Sequence, residues 1–162
     1  MLFFGHIGIT AFLGVLLYLS PLFVGISAVL PDLIDKGLVF FSLSQYSRLY
    51  AHNLFFGPFL SGIVYLITRR KDFAIAVMFG AYMHLIEDMK EPVPWLWPLA
   101  PIDLAPVTGI KASIGLFELI TESVGLSLLA ALFLFNENVM LLRERISTIF
   151  KDFYDKRFVK KI

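Results

Sequence analysis

Apolar residues fall along this chain in long blocks separated by short polar or proline-containing joints. Five blocks can be drawn. The first covers 4–19 and stops at Ser20-Pro21. The second starts at Pro21, whose fixed φ suits a first helical turn, and is expected to end near 30, before Pro31. Residues 32–52 read as a more polar connection, with a short apolar helix at 37–43. The remaining blocks are 53–68, 73–89 and 114–135. All five are too uniformly apolar for the alternation of a strand, so the pattern predicts helices.

Composition turns these helices into membrane helices. The chain of 162 residues is 58% hydrophobic and 17% charged, and its mean hydropathy is +0.79. Soluble domains carry about 25% charge, and one small core cannot bury this apolar excess. The expected fold class is an all-α, multi-pass integral membrane bundle of about five membrane-embedded helices. Sixteen helical residues reach only about 24 Å against a hydrocarbon core of about 30 Å. Half-spanning or tilted segments are therefore expected, the second above all. Two domains follow: 1–136, membrane-embedded, and 137–162, a basic tail whose Ile146, Ile149, Phe150, Phe153 and Phe158 have amphipathic spacing.

A net charge of +1 offers nothing to a nucleic-acid partner. Without cysteine the chain has neither disulfides nor thiolate metal ligands. The start MLFFGH lacks the basic residues of a cleaved signal peptide. Arg69, Arg70 and Lys71 form one basic knot, and seven more basic residues lie between Arg143 and Lys161. By the positive-inside rule both clusters belong in the cytoplasm, together with the C-terminus. The N-terminus and the 89–113 connection then lie on the non-cytoplasmic side of the cell membrane. In that connection PVPWLWPLAPIDLAP, with five prolines, reads as a lid or a rigid interfacial linker placing Trp95 and Trp97 at the bilayer surface.

Against this apolar background the ionisable residues stand out. His84 and Asp88 in HLIED, and Glu118 and Glu122 in the last block, have i, i+4 spacing and share a helix face. Each charge inside a bilayer costs about 2.5–3.5 kcal/mol. His6, Asp32, Asp35 and His52 complete a set that includes every histidine of the chain. Imidazoles with carboxylates and no thiolate suit a divalent ion: zinc, or the harder manganese or magnesium. Taken singly, Asp32 and Asp35 read better as helix caps than as ligands, His6 as an interfacial histidine, and His52 as a group bonding to the start of the third helix. In the topology above, all of them collect at the non-cytoplasmic end.

The order of these motifs resembles a family of membrane-bound, metal-dependent hydrolase-like proteins, some described as LexA-binding inner-membrane hydrolases. An early histidine, a hairpin ending in LPDLID, a histidine with an arginine upstream, then HLIED and PWLWPL carry the resemblance over about residues 1–125. Those proteins are in turn similar to zinc-dependent phospholipases C. The resemblance implies a phospholipase-C-like core with His6, Asp32, His52, His84 and Asp88 as metal ligands. It sets Glu122 where an HxxxE glutamate falls, with Glu118 in place of the histidine. The family's loop usually reads HRGxTHS; here Arg48 and His52 are kept, but Ser47 and Asn53 stand at its ends.

The expected function is a membrane-embedded, metal-dependent hydrolase of a phosphoester in a lipid-like substrate. In it Asp32 or Glu122 is bridging ligand or general base, and Arg48 binds the phosphate. Membrane lipid is the expected partner, with homo-oligomerisation open. The alternative is a proton- or cation-handling transporter that uses the same carboxylates and histidines.

Overall fold

A computed structural model describes residues 3–101, 104, 106 and 115–154. Among them there are six helices and no strand: α1 Phe3–Leu16, α2 Pro21–Phe40, α3 Phe56–Thr68, α4 Lys71–Glu87, α5 Leu116–Leu134 and α6 Asn136–Tyr154. The principal pairings are α2 with α4, α1 with α5, α3 with α4 and α1 with α2. α1 touches four neighbours (α2, α4, α5 and α6) and α4 three, so these two helices form the centre of the bundle, while α6 leans on α1 and α5.

The five apolar blocks do become helices, but five full membrane spans are not supported. Among the described residues only α5, with 19 residues and little of its surface buried, is long and apolar enough to cross a membrane. It reaches about 28 Å, whereas α1 and α3, with 14 and 13 residues, reach about 21 and 20 Å.

The second expected block is corrected as well. The helix does not stop before Pro31 but runs through it to Phe40, absorbing the short helix expected at 37–43. A proline inside a helix removes one hydrogen bond and costs about 3 kcal/mol. Here Pro31 is buried, and the helix below it is pressed against α4, where packing can offset that cost. A Cβ on Gly80 would fall inside van der Waals contact of Ser27 Oγ and the Val24 carbonyl, so the backbones of α2 and α4 nearly touch. Continuing the helix carries Asp32 and Asp35 inward as buried side chains.

α1 and α5 meet through backbone too. A side chain on Gly8 would strike the carbonyl of Gly125, and one on Gly125 would strike Phe4 and Gly5. Close approach through small residues is the usual way helices associate when lipid removes the hydrophobic drive between them. Glu122 sits beside this crossing and accepts hydrogen bonds from the amides of Phe4 (2.9 Å) and Gly5 (2.8 Å). The two helices therefore run side by side in the same direction. α3 and α4 form a tight hairpin, closed by Arg69 at φ 58.

Candidate metal centre

Four elements converge at one end of the bundle: the start of α1, the second half of α2, the 41–55 connection and the end of α4. α4 runs about 25 Å from Lys71 to this end, so the Arg69-Arg70-Lys71 knot lies at the other. One donor atom from each of Asp32, His52, His84 and Asp88 lies within 4.8 Å of the other three. All four residues are buried or nearly so.

Hydrogen bonds fix which nitrogen each histidine presents. His84 Nδ1 lies 2.7 Å from the carbonyl of Ala28, which can only accept, so Nδ1 carries the proton. His52 Nδ1 lies 2.8 Å from Asp35 Oδ2. Both oxygens of Asp35 also accept from the amides of Leu49, Tyr50 and Ala51, so it serves as an acceptor throughout and His52 donates from Nδ1 as well. In the neutral rings both Nε2 atoms are then bare, and they face each other at 3.0 Å. Two lone pairs at that distance repel unless a cation lies between them.

The surrounding oxygens supply the rest of a coordination shell. Asp32 Oδ1 is 3.4 Å from His52 Nε2 and 4.0 Å from His84 Nε2; Asp88 Oδ2 is 3.9 Å from each. Donors on a tetrahedral zinc ion, with bonds of about 2.0–2.2 Å, stand about 3.3 Å apart. The measured separations bracket that value. Buried Asp32 Oδ1 has no hydrogen-bond partner among the described residues, the state expected of an atom reserved for a ligand. The donor set, two imidazole nitrogens and two carboxylate oxygens, fits zinc or a neighbouring divalent ion.

Around the four lies a supporting shell. Asp35 is not brought to the cluster as a donor; it orients His52 and closes the 49–51 turn. His6 stands next to the cluster, stacked on His84 with ring centroids 4.3 Å apart. Its Nδ1 is 2.6 Å from Glu87 Oε2, and its Nε2 is 3.4 Å from Asp88 Oδ1. Thr10 Oγ1 donates to the other oxygen of Glu87. Arg48 pairs with Asp88 Oδ2 at 3.1 Å and with Glu91. Burial favours the neutral ring of His52, but the carboxylates of Asp32 and Asp35 outweigh it and raise its pKa. Without a metal, an extra proton on His52 is therefore what relieves the facing nitrogens.

Glu118 and Glu122, expected as ligands, are placed elsewhere. Glu118 Oε2 accepts from the amide of Gly115 at the start of α5, and both oxygens of Glu122 are held by the first amides of α1. Carboxylates at helix N-termini satisfy orphan N–H groups and complement the dipole. Thr10 and Glu91 went unnoticed in the sequence. Thr10 had a signal, since it follows His6 by four residues on one face of α1.

Comparison with curated proteins and with solved structures gave no match. A family model, YdjM inner membrane protein, matches residues 1–150. The match takes in every residue of the cluster and α5, the candidate membrane span, and the chain belongs to the YdjM inner membrane protein family.

Proposed function

We propose that the protein is a membrane-embedded, metal-dependent hydrolase acting on a phosphoester in a lipid-like substrate at the non-cytoplasmic interface. The facing Nε2 atoms of His52 and His84, 3.0 Å apart with tautomers set by Asp35 and Ala28, carry the reading. A divalent ion held by Asp32, His52, His84 and Asp88 supplies positive charge that lowers the pKa of water toward neutrality and offsets charge on a phosphoryl oxygen.

The chain's own groups do the rest. Asp32 is the least buried of the four donors, so substrate would arrive from its side. Its second oxygen is held by Lys36 Nζ at 2.6 Å, which leaves Oδ1 turned to the histidines. Arg48 is partly exposed and already holds an oxyanion with each end of its guanidinium. Exchange of exposed Glu91 for a phosphate would use the same planar fork. His6, on the far side of the Asp88 carboxylate, extends the site and offers a second position next to Asp88 Oδ1.

The phosphoester class leans on the likeness to phospholipases C. The rival transporter reading uses the same carboxylates and histidines; two of them, Glu118 and Glu122, are engaged by backbone amides, which supports the hydrolase reading over it. Elemental mass spectrometry on protein purified in detergent without chelator tests the proposal, next to His84→Ala. The expected result is at least one equivalent of a divalent transition metal, lost in the variant, together with chelator-sensitive hydrolysis of a fluorogenic phospholipid. Metal-free wild-type protein would overturn it.

A further inference from the structure

Between α1, α2 and α5 lies a groove of about 680 Å³, well within the range of ligand sites. Ile7 and Val15 of α1, Leu22 and Val29 of α2, and Leu129 and Phe133 of α5 line it. None of its lining side chains is polar, so nothing in it would hold water. We propose that this groove seats one acyl chain of a membrane lipid, with the headgroup end at the metal centre.

Three observations fix the occupant. First, one wall is α5, the only described helix able to cross a bilayer, so the groove lies at hydrocarbon depth. Second, the groove adjoins the centre along two helices: Val29 precedes Asp32 by about one helical turn of α2, and Ile7 follows His6 on α1. Third, it is long enough to seat an acyl chain. From Phe3 to Val15 it follows twelve residues of α1, about 18 Å, against about 15 Å for half a hydrocarbon core.

The levels also agree. Glu122 is level with Phe4, so α5 begins about five residues, or 8 Å, beyond the start of α1. A bilayer spanned by α5 would therefore have the centre set inward of the outer end of that helix, beside the lipid. The headgroup assignment rests on the hydrolase reading above; the acyl chain in the groove does not.

Photolabelling of the full chain tests this. The protein is reconstituted in phosphatidylcholine–phosphatidylglycerol vesicles containing a trace of phosphatidylglycerol with one diazirine per molecule. The diazirine sits near the acyl carbonyl in one probe and at the chain end in the other. The near-carbonyl probe should label the Phe3 and Val29 end, and the terminal probe the Val15, Leu22 and Phe133 end. Leu129→Trp should abolish both, while its metal content reports that the centre is intact. Labelling as strong on the exposed α3 face (Phe59, Ile63, Leu66) as in the groove would overturn the proposal. So would the reverse order of the two probes, or cross-linking of two protein chains through the groove. Ordered groove labelling in protein that binds no metal would keep the acyl site and remove the hydrolase reading. Bound metal with uniform labelling would do the opposite.

Discussion

At the residue scale, the centre depends on which atom of each side chain is committed elsewhere. The sequence announces the members: HLIED and LPDLID place acid and imidazole groups where apolar residues belong. It does not announce their division of labour. Asp32 and Asp35 are three residues apart on one side of a helix, and only packing against the 49–51 turn makes one a donor and the other an orienter. Asp35→Asn should accordingly leave the protein folded but lower metal affinity about 10- to 100-fold, measured by chelator competition. Proton competition gives a second prediction. A raised His52 pKa means that the proton stays on the folded protein at a higher pH than the ordinary 6.5. Metal affinity should therefore be full at alkaline pH and begin to fall before pH 6.5 is reached from above. Titration of metal binding between pH 8 and 5 checks this, and a pH-independent affinity would contradict it.

At the element scale, helix existence was legible from apolar blocks, whereas two helix ends were not. The end of α2 was hidden because Pro31 is an interior residue there, tolerated by burial against α4. Glu118 and Glu122 read as intramembrane ligands because no neighbouring charge explained them. Glu118 had an explanation within reach: Gly115 with a glutamate three residues later is an N-terminal signature. The partner of Glu122 lies 117 and 118 residues away in the chain, beyond any local pattern. The glycine crossing of α1 and α5 makes the sharpest element-scale prediction. Gly125→Ala would force the two backbones apart and should cost about 1–3 kcal/mol or more, read as a lower midpoint of thermal unfolding in detergent. An unchanged midpoint would show that the helices do not touch there.

At the scale of the whole molecule, polar chemistry and basic charge occupy opposite ends of an apolar bundle. Its outer surface carries Phe59, Ile63 and Leu66 on α3 and Leu119, Ile120 and Leu126 on α5, a surface suited to lipid. α6 carries Arg143 over the ring of Tyr18 at 3.9 Å, which ties the basic segment to the end of α1 away from the centre. Positive-inside orientation then predicts sidedness. In this cysteine-free chain, Leu99→Cys should react with an impermeant maleimide on intact spheroplasts, and Ser147→Cys only after permeabilisation. The opposite pattern would invert the topology. The pairing of α5 with α1 has a further consequence, in time. All four donors and Asp35 lie between residues 32 and 88, and α5 begins 28 residues later. At about 5–20 residues per second, translation releases the complete donor set some 1–6 s before α5. The centre can thus assemble on the nascent chain, and α5 arrives afterwards to dock on Gly8, cap α1 with Glu122 and close the groove.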